Sequence, residues 1–434
     1  MLLKIEEQLT RNSYYETSVL RPAESPVLQG NVKADVCIVG GGYSGLTAAL
    51  ELVERGYSVV VLEAKRLGWG ASGRNGGQAL VGFGFAGLDA IETQLSAADA
   101  RQAWNISLEG LDYLQSLIKK HTIDCDYIPG QMSLAVNARK SKRFRHWVEH
   151  VANTYDYPMR WIAENEIENW IASKRFHSGA FDAQSGHLNP LKYCLGLASA
   201  ARAANVQLFE NSAVIVLERG IKPVVKTASG KVTCDFVLLA GNVYLGEYSN
   251  SIAPELKQRI MPVGTYIIAT EPMSKVRAEA LIRQRAAVFD TNLILDYFRL
   301  TADHRLLFGG GESYSTFTPL NLIKRMRQRM LAVFPQLSDL NVPFVWGGFV
   351  DITMNQAPDF GRLANNIYYL QGFSGHGLAL SGMAGKLVAE SIAGQAERFD
   401  LLARIKHRPF PGGELLRTPA LVLVMLYYRL RDLY

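Results

Sequence analysis

ADVCIVGGGYSGLTAALELVERGYSVVVLEA, residues 34–64, decides how this chain begins to fold. Two β-branched runs, VCIV and VVVL, flank a segment with Leu46, Leu50 and Val53 at helical spacing, which reads as strand, turn, helix and strand. Gly56 is well placed to end the helix. Gly40, Gly42 and Gly45 form a GxGxxG at the turn, and Glu63 ends the second strand about 20 residues later. The first glycine permits the tight turn, the second lets backbone approach a pyrophosphate, and the third lets helix and strand pack closely. Tyr43 and Ser44 follow with backbone N–H groups at the positive end of the helix dipole, where phosphate is favoured. Glu63 is suited to accept hydrogen bonds from ribose hydroxyls, and its charge repels a 2′-phosphate. The unit therefore predicts FAD or NAD and disfavours NADP. The bland alternative, a glycine turn with a solvated glutamate at a strand end, leaves the coincidence of all these elements unexplained.

Composition bounds the rest. At 434 residues the chain exceeds the roughly 250–300 residues at which single cores stop growing, so two domains are expected. The hydrophobic share of 48% and charged share of 20% suit a globular enzyme. A net charge of +6 is spread along the chain without a basic cluster interleaved with aromatics, which argues against nucleic acid as a partner. Cys37, Cys125, Cys194 and Cys234 show no CxxC spacing, which argues against a metal site and a secreted disulfide scaffold. The N-terminus lacks the apolar core of a signal peptide, so a cytoplasmic location is expected. The apolar stretch 420–428 is about half of the roughly 20 residues a membrane span needs, and reads as a helix packed on the body or a membrane or partner contact.

The pattern along the chain is α/β, with three α/β stretches separated by two of different character. VQLFE and FVLLAGN read as short strands after an alanine-rich helix 194–203, and IYYLQG, FSGHG and a helix with Met383, Leu387 and Ile392 mirror the first unit. The stretches 30–90, 187–255 and 343–400 are thus expected to form one discontinuous Rossmann-like domain on a parallel sheet. DYIPGQMSLAVNARK, VGTYIIATEP and LDYFRLTADHRLLFGGG look like long strands of a mixed antiparallel sheet, which assigns 91–186 and 256–342 to a substrate domain. A helical tail is expected over 401–434.

Two further segments favour flavin over nicotinamide. GWGASGRNGGQ, residues 68–78, has five glycines; Ala71, Ser72, Gly73, Arg74, Asn75, Gly76, Gly77 and Gln78 are candidates to wrap an extended cofactor, Arg74 on a phosphate or flavin carbonyl. A flexible surface loop is the alternative. In GFSGHG, residues 372–377, Gly375, His376 and Gly377 open a helix whose N-terminus would stabilise negative charge on a reduced flavin. His376 is the candidate catalytic residue, by hydrogen bonding flavin or substrate, or else a satisfied loop histidine. Tyr297 and Arg299 share one strand face, an aromatic wall beside a cation, or else an exposed face with an incidental arginine. With Gln78 and Trp346, which also reads as core, they are the candidate substrate contacts. His187, before the helix opened by Pro190, is expected to organise that helix.

GGGYSGL, GWGASGRNGGQ, the AGN after FVLLAG, and GFSGHGLALSGMAG together resemble the FAD-dependent amine and D-amino-acid oxidase superfamily over nearly the whole chain. NSYYETS, DYFRLTADHRLLFGGGE and the tail PFPGGELLRTPALVLVMLYYRLRD look most like its gamma-glutamylpolyamine oxidoreductase branch. The resemblance implies one FAD and oxidation of a C–N bond to an imine that hydrolyses to aldehyde and ammonia, with O2 reoxidising the flavin to give peroxide. It implies a gamma-glutamylputrescine-like substrate, Arg299 then being the partner of the glutamyl carboxylate. It also implies that Val214 meets the adenine through its backbone and that Gly241 lies near the cofactor. Some relatives attach flavin through a cysteine near the C-terminal part of the chain; here the last is Cys234, so non-covalent FAD is expected. A secondary amine or D-amino acid with a quinone acceptor, and a non-catalytic FAD-binding subunit, stay open.

Overall fold

Short runs of branched apolar residues can be buried on both faces only inside a covered sheet. In the computed structural model, which describes residues 12–249, 252–292, 294–313 and 321–411, the strands Val36–Val39, Val59–Leu62 and Ile367–Gln371 are buried at every position. They belong to a six-stranded sheet ordered Asp359–Ala364, Ile367–Gln371, Phe236–Leu239, Val36–Val39, Val59–Leu62, Gln207–Phe209. Every neighbouring pair is parallel except the first, so the expected parallel sheet carries one antiparallel edge strand. Val36 pairs with Val59 and Val39 with Leu62, which ends both strands together and sets the glycine turn beside Glu63.

Side chains alternate between the two faces of this sheet. Val36, Ile38, Val59 and Val61 meet a helical layer of Tyr43–Glu54, Ala97–Lys120, Pro190–Ala203 and Gly377–Ile392. Cys37, Val39, Val60 and Leu62 face the other way, under a four-stranded sheet of Gly30–Lys33, Gly230–Thr233, Val224–Lys226 and Val216–Glu218 that the sequence reading lacks. On the first helix Leu46, Leu50 and Leu52 take the buried positions while Val53 is only partly covered. Gly56, at φ +87°, follows its end. The alanine-rich helix starts at Pro190, capped by the Asn189 side chain on the Lys192 N–H.

A nine-stranded mixed sheet holds the second core, with Met132, Ile268, Phe298, Phe308 and Phe334 fully buried. Its long strands are Ile128–Ala135, Ser178–His187, Ile260–Ala269, Leu306–Ser313 and Phe344–Thr353. Three elements cross the boundaries expected from sequence. Phe344–Thr353 and Gln78–Ala79, placed with the dinucleotide-binding stretches, pair here with Ile260–Ala269 and Ser178–His187. Ala97–Lys120, placed with the substrate half, packs instead on Gly377–Ile392, where Gly110 admits Met383 at close range. Periodicity tells that a strand or helix has an apolar face, not which partner covers it. Of the expected C-terminal tail, Glu397–Ala403 is a helix; residues 420–428 lie outside the described residues. Among the described residues no helix is long and apolar enough to cross a membrane.

One buried acid gives this half a pH dependence. Asp290 and Asp296 are both enclosed, each within reach of Arg175, and Arg329 bonds Asp296. Burial, reinforced by the neighbouring Asp296, pushes the Asp290 carboxyl up to about 7. The folded state then holds a proton that the unfolded chain releases near pH 4, so the stability contributed by protonated Asp290 is present below that pH and is lost as pH rises through about 7. Asp290→Asn is therefore expected to lose less stability than wild type between pH 5 and pH 8 in urea titrations; equal losses would show that Asp290 is ionised throughout.

Candidate active site

The glycine turn is sterically obligatory. Gly40 sits at φ +115°, and a Cβ there would lie 2.5 Å from the Ala240 carbonyl oxygen. At Gly45 a Cβ would lie 2.0 Å from the Gly40 oxygen, so helix and strand approach closer than any side chain allows. The helix Tyr43–Glu54 has no side-chain cap from Gly42; the Tyr43 N–H donates to Ser72 Oγ at 3.1 Å. Glu63 accepts the Gly41 N–H at 2.8 Å and the Lys65 N–H at 2.9 Å, which ties the turn to the end of the second strand. Burial raises its carboxyl, against the pull of those N–H donors.

This turn opens into a cleft lined also by Gly68, Trp69, Gly70, Ala71, Ser72, Asn75, Gly76 and Gln78 from the second glycine-rich segment. The rest of that segment faces away. Gly73 packs on the Gly68 carbonyl, and Gly77, at φ +77°, on the Leu188 carbonyl. Arg74, expected on a phosphate or flavin carbonyl, lies with its guanidinium 4.1 Å over the Trp69 ring, and its carbonyl accepts the Trp346 Nε1–H at 3.0 Å. Asn75 braces the loop, accepting the Gly77 N–H at 2.8 Å and donating to the Ala71 carbonyl at 3.0 Å.

Two of the substrate contacts expected from sequence are part of that bracing. Arg299 is buried, donates to the Gly76 carbonyl at 2.7 Å and to the Tyr15 hydroxyl at 3.0 Å, and does not line the cleft. Its strand face is the expected one; its donors are used by the chain itself. Trp346 is fully buried behind the loop and packs edge-on against Tyr15 at 5.1 Å between ring centres. Tyr15, which sequence reasoning passed over within NSYYETS, also donates to the Asn75 carbonyl at 2.9 Å. Tyr297 does line the cleft, its hydroxyl 3.3 Å from Thr265 Oγ1, and Gln78 lines it while donating to the Val288 carbonyl at 3.1 Å. His187 is buried away from the cleft, 2.8 Å from the Arg285 carbonyl.

The far wall is the loop 372–377, where Gly375, His376 and Gly377 line the cleft at the N-terminus of Gly377–Ile392, again without a side-chain cap. His376 is half-buried, its ring against the Gly84 backbone, and desolvation pushes it down to about 4, so it is neutral near pH 7. Asp351, missed in the sequence, lines the cleft beneath this loop and accepts the N–H groups of Gly372 and Phe373. Burial lifts its carboxyl to about 6. Val214 and Gly241 also line the cleft, as do Tyr244, Phe289 and Leu295, for which no local pattern gave a signal. Among the described lining residues there is no lysine or arginine.

Two helix N-termini opening onto one long cleft, with the Glu63 carboxylate at one end and Tyr297, Phe289 and Leu295 toward the other, suit an extended dinucleotide bearing a flat ring system. Comparisons agree. Residues 35–391 match the family model DAO, "FAD dependent oxidoreductase". The chain is 41% identical over 421 residues to gamma-glutamylputrescine oxidoreductase of Escherichia coli strain K12, covering 97% of this chain and 98% of that one. It is 40% identical over 424 residues to a probable oxidoreductase, OrdL, of Haemophilus influenzae, covering 97% of each. The fold is shared with glycine oxidase from Geobacillus kaustophilus at a TM-score of 0.70 and 19% identity, over 84% of this chain and 95% of that one. The protein thus belongs to the DAO family of FAD-dependent oxidoreductases and is an enzyme that works with FAD.

Proposed function

We propose that the enzyme oxidises the primary amine of gamma-glutamylputrescine, or of a related gamma-glutamyl polyamine, to an imine that hydrolyses to an aldehyde and ammonia. O2 takes the electrons and leaves as H2O2. The carrying observation is the absence of lysine and arginine among the described residues lining the cleft. An α-amino acid brings a carboxylate one carbon from the reacting nitrogen, and burying it without a cation costs several kcal/mol. A gamma-glutamyl polyamine carries its carboxylate at the far end of a long chain, out of the apolar part of the site.

When bound, FAD would accept the two electrons released as the C–H bond beside the amine nitrogen breaks and the C–N single bond becomes C=N. The Gly42–Ser44 backbone and Ser72 would hold its pyrophosphate, Glu63 and Val214 its adenosine, and Asn75, Gly76, Gln78 and residues 375–377 its ring system. No cysteine is among the described lining residues, which supports non-covalent binding. Tyr297, Phe289 and Leu295 would exclude water around the amine and orient it. His376, neutral at working pH, is suited to exchange a hydrogen bond there rather than to carry charge.

Anaerobic addition of gamma-glutamylputrescine should bleach the flavin absorbance, with peroxide on readmitting air. Putrescine, sarcosine and D-alanine should bleach it far more slowly. Rapid bleaching by sarcosine or D-alanine would refute the substrate; bleaching without peroxide would point to a quinone acceptor; no bleaching by any amine would leave a non-catalytic subunit.

A further inference from the structure

The acid beneath the loop 372–377 has no place in the amine chemistry, yet its surroundings are specific. Asp351 lies in the strand Phe344–Thr353, opposite Pro262, and is 3% exposed. Its carboxylate accepts two backbone donors, the Gly372 N–H and the Phe373 N–H, the latter at 3.2 Å. Its own carbonyl accepts the Ser374 N–H at 3.1 Å. One residue thereby fixes three successive backbone units immediately ahead of Gly375, His376 and Gly377, which begin the helix Gly377–Ile392.

The positive end of that helix amounts to about half a unit charge. Asp351 places a full negative charge beside it, and among the described lining residues no lysine or arginine offsets it. A helix N-terminus alone would make the site strongly electron-attracting; the carboxylate restrains it. We infer that Asp351 is a positioning residue that holds the loop 372–377 against the flavin and, through its charge, lowers the flavin's affinity for an electron pair. The two N–H donors and the carboxyl's value of about 6 keep it ionised at pH 8. The inference rests on the bound flavin and not on which amine is oxidised.

Sulfite tests it without any amine. Its sulfur lone pair forms a bond to the flavin N5, the displaced electron pair settles on the N1–C2 carbonyl region, and nothing leaves. Adduct affinity therefore reports the field there, and the reduction potential reports it independently. At pH 8, Asp351→Asn with its flavin bound should bind sulfite at least about tenfold more tightly, equivalent to a rise of about 30 mV for a two-electron couple. Asp351→Glu should stay near wild type. A flavin-loaded Asn variant within about twofold of wild type in sulfite affinity would overturn the inference. If the Asn variant loses its flavin, Asp351→Ser is read by the same criteria. Loss of flavin from both neutral variants would also overturn it, since Asp351 would then serve cofactor binding and not electron affinity.

Discussion

Gly45→Ala is expected to purify colourless. The added methyl would stand 2.0 Å from the Gly40 carbonyl oxygen and 3.1 Å from Ile38 Cγ2, so backbone must move at the turn itself. Overpacking of this kind costs typically about 1–3 kcal/mol and more when the obstacle is main chain. The displacement falls on the N–H groups of Gly42, Tyr43 and Ser44, so the loss appears as flavin affinity. A shift of about 3 kcal/mol is more than about a hundredfold in Kd. The absorbance ratio at 280 and 450 nm after purification, and calorimetric titration of the apoprotein with FAD, measure it. A yellow Gly45→Ala protein with wild-type affinity would mean that the turn holds the cofactor in some other way.

Arg299→Leu is the second large effect, and its signature separates two roles. The guanidinium is enclosed and bonds the Gly76 carbonyl and the Tyr15 hydroxyl, so its removal takes the donor from that carbonyl and leaves the hydroxyl with only its bond to the Asn75 carbonyl. Buried hydrogen bonds to a charged group are worth about 1.5–3 kcal/mol each, and a destabilisation of about 2–4 kcal/mol in urea titrations is expected. Because Gly76 lines the cleft, flavin affinity should fall at least about tenfold with it. In flavin-saturated enzyme the KM for the amine should change little. A rise of about a hundredfold in KM, with flavin affinity intact, would instead place Arg299 on a substrate carboxylate.

What the sequence told of this site divides by range. The turn at Gly40, Gly42 and Gly45 and the helix opening at Gly377 were legible because spacing of a few residues carries them. Tyr297 and Arg299 were rightly put on one strand face, since alternation along a strand is local. Which of the two meets the cleft depends on where the loop 71–77 crosses that face, and a pattern within one strand holds no record of it. Trp346 is similar: its ring backs the loop from a strand that pairs with Ile260–Ala269, far off in the chain. Asp351 had a weak signal, an acid inside the apolar run WGGFVDIT, but its meaning lies in N–H groups some twenty residues later. The domain limits failed where Gln78–Ala79, Ala97–Lys120 and Phe344–Thr353 changed partners, because binary patterning is blind to the identity of the covering element.

The cleft takes one wall from residues 40–44 and another from residues 373–378, so its two sides are made far apart in time during synthesis. Roughly 330 residues divide the two walls, which at about 5–20 residues per second is roughly 20–70 s of translation. In the first part of that interval the strand Val36–Val39 lacks its neighbour Phe236–Leu239, and in the rest Phe236–Leu239 lacks Ile367–Gln371, so the sheet keeps an open edge until the chain is nearly made. A chain that stops short of Gly377 therefore carries the dinucleotide signature without the second helix N-terminus that lines the cleft.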